Sequence, residues 1–520
     1  MEFNLRPYQN EAVTSVLRKW QEHRKLLLVL PTGSGKTIVF SKIIESLVGM
    51  NVRCLILAHR DELIRQAQDK LLLSTGIDSA IEKASETALG SLYKVTVGSV
   101  QSLMREKRLN RFAPDYYGAI IVDETHRILA DGYQRILKYF NGAMVLGVTA
   151  TPGRSDKQNL GKFFDELAYE YSIRDAIKDG WLCKIEAETM PIDIDMSSVK
   201  TTAGDYNVGD VGNAIEPYLA QIADKMAEHV LGKKILVFLP LIRTSKLMEG
   251  LLRERGFNPC HIDGKSTDRK EILEMYHQNR YDVLLNSMLL TEGYDQPDVD
   301  CVVVLRPTQS RSLYCQMIGR GTRICEGKDS LLILDFLWNS EKHNLCHPAS
   351  LIAEKEETAR IMTEKAKKGG RAGLMDMELG AMNDVAAQRE DTLAEYLKAN
   401  SRRKGKKIDP MAFGILVGDE NITEYEAVMG WETANVTPKQ AEILAKNGFD
   451  PTMMNKGQAS KVLDGVFKRM NNDMASVKQV MLLQRFGRRD FSTMKFKEAS
   501  ELITRIKNNN WSADFRNENK

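Results

Sequence analysis

The chain has 520 residues and carries 73 Lys and Arg against 70 Asp and Glu, a net charge of +3, which gives room for several hydrophobic cores and excludes a protein that is basic throughout. Its seven cysteines (54, 183, 260, 301, 315, 325 and 346) include no Cys-x-x-Cys pair, and His343, Cys346 and His347 lack a second half, so reduced thiols in a cytosol-like compartment are expected and zinc is not. No apolar run reaches the roughly 18–20 residues that span a bilayer, and Arg6 and Tyr8 stand where a signal peptide would be apolar, so no membrane partner is expected.

Residues 2–9 lead into an amphipathic helix marked by Ala12, Val13, Val16, Leu17 and Trp20. Arg6 can stack its planar guanidinium on a purine, and the Gln9 amide can pair with an adenine edge. The apolar strand Leu28–Leu30 then runs into Pro31-Thr32-Gly33-Ser34-Gly35-Lys36-Thr37 and a helix. Gly33 and Gly35 lack Cβ, so the loop can turn its N–H groups around a β-phosphate at the positive end of that helix. Lys36 supplies a mobile charge for the β- and γ-phosphates, and the Thr37 hydroxyl can ligate Mg²⁺. The expected cofactors are therefore ATP and Mg²⁺.

Strands at 53–58 and 94–97 follow, separated by helical segments. The apolar run Gly118–Val122 ends in Asp123-Glu124, the place where an open parallel sheet presents ligands. Asp123 would hold Mg²⁺ through water, and Glu124 would polarise the water attacking the γ-phosphate. His126 and the Thr149-Ala150-Thr151 end of the next strand could link this site to another lobe. Strands and helices alternating through short loops predict a doubly wound parallel sheet.

Pro31–Thr37, Asp123-Glu124-Thr125-His126 and Thr149-Ala150-Thr151, in that order, resemble motifs I, II and III of the superfamily 2 helicases and translocases of the DExH-box type. His59-Arg60-Asp61-Glu62-Leu63 resembles motif Ia, and Gly98-Ser99-Val100-Gln101-Ser102 the next strand-contacting motif. The resemblance implies that His59, Arg60, Gly98, Ser99 and Gln101 touch a sugar-phosphate backbone, a contact that positions a strand without reading its sequence.

Residues 186–225 lose the strand–helix rhythm, and the Asp-, Ser-, Gly- and Thr-rich part from 193 to 212 reads as a linker or β-turn insertion. A second alternating series begins at 234. It leads to Ser287–Asp295 and then to Gln316-Met317-Ile318-Gly319-Arg320-Gly321-Thr322-Arg323. On a helix Gln316, Arg320 and Arg323 share one face. Two arginines and an amide with no local acids seek an external anion, and the γ-phosphate held by the first lobe is the natural candidate. By resemblance, 316–323 matches motif VI with its arginine fingers, and 286–295 matches motif V, which implies Gly293 and Asp295 near the nucleotide and Thr291 near the nucleic acid. Leu305-Arg306-Pro307-Thr308 adds Arg306 to the nucleic-acid set. Within the superfamily the motifs look most like RadD-type bacterial and phage helicases, with XPB-type and type I restriction translocases more distant. That likeness implies the cytoplasm of a bacterial cell or phage-infected host.

Over residues 401–520, 21 Lys and Arg face 15 Asp and Glu, so the tail is the basic part. The run Arg402–Lys407 fits a solvated linker, a nucleic-acid contact or a nuclear address. Beyond it lies a diverged tandem repeat. Thr437-Pro438-Lys439-Gln440 with Leu444 and Gly448 is echoed by Ser476-Val477-Lys478-Gln479 with Leu483 and Gly487, and Gln458-Ala459-Ser460 by Glu498-Ala499-Ser500. Each unit reads as a helical hairpin. Such a pair either packs as a plain bundle or uses Lys478, Arg485, Arg488, Arg489, Lys495 and Lys497 to grip a duplex or fork.

The expected architecture is α/β. Two RecA-like doubly wound lobes, 1–185 and 226–345, flank a linker at 186–225; a helical connector at 346–435 and an all-α tandem repeat at 436–520 follow. The expected function is an ATP-dependent DNA helicase or translocase, with replication or repair proteins as further partners. An RNA helicase and a non-unwinding ATP-gated clamp are the alternatives.

Overall fold

The computed structural model describes residues 4–508 apart from 60, 151–159, 203–204, 265, 267, 288–295, 340–344, 354–355, 368–369, 385–409, 411–412, 415–421, 423–424, 426–431 and 485–492. The chain forms two compact units. The first comprises Met1–Asp156 and Phe163–Met382, and the second holds the C-terminal helices.

The first unit contains two seven-stranded sheets. Strands β1 (Lys25–Val29), β2 (Cys54–Ala58), β3 (Ala80–Glu82), β4 (Val95–Ser99), β5 (Ala119–Asp123), β6 (Met144–Thr149) and β7 (Glu166–Glu170) lie in the order β3-β4-β2-β5-β6-β1-β7, with every pairing parallel. The central strands β1, β2, β5 and β6 are mainly apolar and buried along nearly their whole length, as parallel strands covered on both faces are. Register sets Val29 of β1 opposite Thr149 of β6, and Asp123 of β5 opposite Val148. Three neighbouring strands therefore release their loops at one level of the same edge. Gly147 on β6 makes this packing possible, since a Cβ there would lie 2.2 Å from Phe164 Cζ and 2.7 Å from Thr125 Cγ2.

The second sheet is built from β8 (Lys184–Asp195), β11 (Ile235–Leu239), β12 (Pro259–Ile262), β13 (Val283–Ser287), β14 (Cys301–Val304), β15 (Ser330–Asn339) and β16 (Arg371–Gly373), in the order β12-β13-β11-β14-β15-β8-β16. Only β16 runs antiparallel, along the edge of β8. Between β8 and β11 a short hairpin pairs β9 (Thr201–Thr202) with β10 (Asp205–Tyr206).

Two expected boundaries are corrected here. The segment 186–225 is no linker: β8 pairs with β15, and Ile192, Ile194, Met196, Val199, Tyr206, Val211 and Ile215 are buried in the second lobe's core. Ile192, Ile194 and Met196 occupy every second position, a strand signal that the intervening polar residues obscured. The connector at 346–435 is likewise not wholly separate, because β16 joins the second sheet and the first unit runs to Met382. The basic run Arg402–Lys407 lies outside the described residues.

In the second unit the repeat is visible in its hydrogen bonds. Thr437 caps the helix Pro438–Lys446 in reciprocal exchange with Gln440, and Ser476 exchanges in the same way with Gln479 at the helix Val477–Gln484. Gln440 Nε2 then donates to Ser460 Oγ at 2.9 Å on the helix Lys456–Asn471, and Gln479 Nε2 donates to Ser500 Oγ at 2.8 Å on the helix Phe496–Asn508. Lys478 and Lys495 are spent inside this fold. Their ammonium groups donate to the Lys446 and Asn472 carbonyls at the ends of the first hairpin's helices, where cations satisfy orphan acceptors. Of the cations named for a duplex grip, these two serve as helix caps, and Arg485, Arg488 and Arg489 lie outside the described residues.

Gly147→Ala is expected to cost about 1–3 kcal/mol of stability through overpacking, read as a lowered urea midpoint. Gly142, where a Cβ would meet nothing within 4 Å, is expected to tolerate alanine within about 0.5 kcal/mol.

Candidate active site

The loop after β1 turns through Gly33 (φ 89°) and Gly35 (φ 81°) before the helix Lys36–Gly49 begins. Both glycines sit in the left-handed region that other residues enter at a cost. The Ser34 carbonyl is drawn outward by two donors, the Tyr8 hydroxyl at 2.7 Å and Gln9 Nε2 at 2.9 Å. Loop amides and the helix N-terminus then offer a cradle for phosphate oxygens. Thr32 and Ser34 are buried in this turn, and Ser34 Oγ donates to the Pro31 carbonyl at 2.7 Å.

Gln9 occupies the expected neighbourhood with an added duty. Its Oε1 accepts from the Arg6 N–H at 3.0 Å while its Nε2 donates to the Ser34 carbonyl at 2.9 Å and to the Tyr8 hydroxyl at 3.5 Å, so the further hydrogen-bonding position it keeps is on Oε1. Arg6 lies with its guanidinium 4.7 Å from the Trp181 ring centroid, and Tyr8 stacks on Tyr171 at 4.3 Å. The expected purine stack for Arg6 is thus taken on one face by Trp181. Neither aromatic partner was singled out in the sequence, because both lie far along the chain from residues 6–9.

Asp123 ends β5, and Glu124 follows with φ 52° and ψ 56°. A non-glycine residue held there carries strain of about 1–3 kcal/mol. The turn closes with the Glu124 N–H donating to Asp123 Oδ1 at 3.0 Å and the Thr125 hydroxyl in contact with the Val122 and Val148 carbonyls, both at 2.9 Å. Glu124 is consequently buried, and Gln316 Nε2 of the second lobe donates to its Oε2 at 2.8 Å. Thr149 Oγ1 is buried beside this turn with no hydrogen-bond partner among the described residues. The His126 side chain and Thr151 lie outside them.

Gln316 sits on the helix Arg311–Ile318, which stops at Gly319. The expectation that Gln316, Arg320 and Arg323 share one helical face is corrected, since both arginines stand on the turn that follows. They still reach the site. A Cβ on Gly319 would lie 2.4 Å from Thr32 Cβ, and one on Gly33 would lie 3.6 Å from Arg323 Cγ, so the arginine turn rests on the phosphate loop. Burial pushes the Lys36 ammonium below its ordinary value; Glu124 and Asp123 oppose the shift, and Arg320 and Arg323 reinforce it. Burial also pushes Arg323 down to about 10, which leaves it charged at neutral pH.

Three contributors escaped the sequence reading. Lys328 donates from one ammonium to the carbonyls of Pro297, Gly321 and Arg323, and the Cys183 N–H donates to the Thr322 carbonyl at 2.9 Å. Together they pin the backbone of the arginine turn. Lys70, exposed over much of its side chain, has its ammonium pushed below the ordinary value by desolvation and then by Arg323 and Arg320. A lone cation far from any motif gives no pattern to find.

The loops expected to face a nucleic-acid strand are tied together. Ser99 is buried and its hydroxyl donates to Gln101 Oε1 at 2.8 Å, while Gln101 Nε2 donates to the His59 carbonyl at 2.6 Å and its side chain stays exposed. Gly98 is packed by Leu103 and Leu55. Arg306, expected at a nucleic-acid surface, is instead buried, with Asp205 supporting its charge. Arg60, Thr291, Gly293 and Asp295 lie outside the described residues.

For a divalent cation the fitting donors are the Thr37 hydroxyl at the second helix residue and the Asp123 carboxylate at the strand end. No cluster of three His, Cys, Asp or Glu occurs among the described residues. Few protein ligands beside a phosphate cradle suit Mg²⁺, which keeps waters and takes phosphate oxygens. No helix among the described residues is long and apolar enough to cross a membrane.

Residues 2–154 match the family model for the type III restriction enzyme res subunit, and residues 218–325 match that for the helicase conserved C-terminal domain. The chain is 30% identical over 451 residues to a Saccharomyces cerevisiae protein named as an ATP-dependent helicase, IRC3, covering 82% of this chain and 62% of that one. It is 25% identical over 374 residues to the DNA 3'-5' translocase XPB2 of Sulfurisphaera tokodaii, covering 64% of this chain and 81% of that one. In fold it is similar to a fragment named as the HsdR subunit of a type I restriction enzyme from Vibrio vulnificus, with 25% identity, a TM-score of 0.51 and 63% of each chain covered. The chain thus spans 62% of the length of the first of these relatives.

Gly35→Ala is expected to weaken nucleoside triphosphate binding by roughly tenfold or more, because about 1–2 kcal/mol of left-handed strain falls on the loop and the new Cβ would stand 2.7 Å from Gln9 Nε2. Titration with a fluorescent triphosphate analogue checks this. Gly49→Ala, in open space at the far end of the same helix, is expected to leave that affinity unchanged.

Proposed function

We propose that this chain, built on the two-lobed core of the superfamily 2 helicases, is an ATP-dependent helicase or translocase that acts on DNA. The observation that carries the reading is the Gln316–Glu124 hydrogen bond at 2.8 Å, which joins the two lobes at the carboxylate best placed for hydrolysis. ATP lies in the loop Thr32–Thr37, its adenine near Arg6 and Gln9 and its β- and γ-phosphates on Lys36. Mg²⁺, when bound by Thr37 and Asp123, neutralises charge developing on the phosphates. Glu124 orients and polarises the attacking water, and Gln316 fixes that carboxylate. Arg320 and Arg323 stabilise charge on the γ-phosphate.

Coupling to motion follows from where these groups reside. The second-lobe arginines gain contacts with nucleotide only while the γ-phosphate is present, so binding favours closure and hydrolysis removes the bias. The loops holding His59–Arg60 and Gly98–Gln101, with Thr291 of the second lobe, track the sugar-phosphate backbone. DNA is preferred as substrate because a relative of similar core is named a DNA translocase. Thr149 and Thr151, with His126, form the connection from the γ-phosphate to these loops.

ATP hydrolysis is expected to be stimulated by single-stranded, duplex or forked DNA in a steady-state assay run beside RNA and a polymer-free control. Stimulation by RNA alone would overturn the DNA assignment. Lys36→Ala is expected to abolish triphosphate binding, whereas Glu124→Gln is expected to keep it and to lower kcat by roughly 10²-fold or more. Rates untouched by both substitutions would remove the assigned site.

A further inference from the structure

The hairpin of β9 and β10, in the stretch that sequence reading took for a linker or β-turn insertion, is anchored by the buried side chains of Val199 and Tyr206 and presents Thr201 and Thr202 to solvent. Asp205 on its second strand faces the segment that leads into the Gln316 helix. Its Oδ2 accepts the Thr308 hydroxyl at 2.7 Å and its Oδ1 accepts the Gln309 N–H at 2.9 Å. The same Thr308 hydroxyl oxygen accepts the Ser310 N–H at 3.0 Å, and Ser310 Oγ caps the helix Arg311–Ile318 by accepting the Leu313 N–H at 3.3 Å. Gln316, buried on that helix, ends the series on Glu124. An unbroken set of hydrogen bonds and one helix thus connects a surface hairpin to the carboxylate of the other lobe.

Alternatives for Asp205 fare worse. A plain turn-forming aspartate would spend its oxygens on nearby backbone, as Asn207 does on Gly209 and Asp210. Asp205 Oδ1 does accept the neighbouring Tyr206 N–H at 2.9 Å, but both of its oxygens also engage donors about a hundred residues away, and its charge supports the buried guanidinium of Arg306. Charge-assisted bonds of this kind are roughly twice as strong as neutral ones and fix direction as well as distance.

We propose that Asp205 is a positioning residue for ATP hydrolysis: it holds Thr308 and Gln309 so that the helix beyond them delivers Gln316 to Glu124. The inference rests on the reading of Glu124 as the water-polarising group. It also assigns the hairpin a mechanical role, since displacement of β10 moves the start of the Gln316 helix.

The test is a double-mutant cycle in the full chain, with ATPase kcat and KM measured at saturating DNA. Asp205→Ala is expected to lower kcat about tenfold while KM for ATP stays within about twofold, because the phosphate loop is untouched. Asp205→Asn, which keeps an acceptor for Gln309, is expected to recover part of that loss. In a Gln316→Ala background, Asp205→Ala is expected to cost little more, as residues acting through one another are not additive. If Asp205→Ala does not fold, Thr308→Val takes its place in the same cycle with the same expectation. A wild-type rate in Asp205→Ala beside an inactive Glu124→Gln would overturn the Asp205 assignment alone, and so would losses that multiply in the double variant. A wild-type rate in Glu124→Gln would overturn both readings together.

Discussion

The buried carboxylate of Glu124 takes one of its hydrogen bonds from the other lobe, from Gln316 on the helix Arg311–Ile318. Glu124 itself is held at a left-handed backbone angle. A hydrogen bond to a buried charged group contributes about 1.5–3 kcal/mol, so the closed arrangement of the lobes and the geometry of the carboxylate support each other. The parallel register of β5, β6 and β1 brings the phosphate loop and the acidic turn side by side. The glycines at 33 and 319 let the arginine turn approach within van der Waals distance.

Charge balance follows from the same crowding. Lys36, Arg320 and Arg323 share a field with Asp123 and Glu124, and Lys70 lies within it. Cations gathered at this density repel one another in a poorly solvated space. A polyphosphate, the ligand proposed for this loop, would relieve that repulsion. Lys328 carries the burden of keeping the arginine turn in shape, and it does so through backbone carbonyls.

How much of this was legible in the sequence depends on whether a feature is local. Gly33, Gly35, Lys36, Asp123 and Glu124 were readable because strand ends, glycine turns and carboxylates announce themselves within a few neighbouring residues, and the tandem repeat was readable from its caps. The helical face assumed for Gln316, Arg320 and Arg323 failed on a single glycine, Gly319, that ends the helix; packing against the phosphate loop, not periodicity, brings the arginines in. The strand β8 was hidden because acidic residues alternate with Ile192, Ile194 and Met196, and a polar count outweighed the period. Trp181, Cys183 and Asp205 act through partners far away in the chain, and Lys328 acts on backbone carbonyls that every residue carries; one sequence offers no sign of such pairings.

The backbone passes from the first sheet to the second between Glu170 of β7 and Lys184 of β8, by way of a short helix at 173–178 and Gly180 at φ 73°. So brief a tether keeps the arginine turn at an effective concentration of order millimolar near the phosphate loop. In the proposed cycle, recapture after an opening is then a local, unimolecular event whose frequency does not depend on how dilute the protein is. Under that proposal, individually modest contacts across the cleft suffice, and breaking them does not separate the two halves.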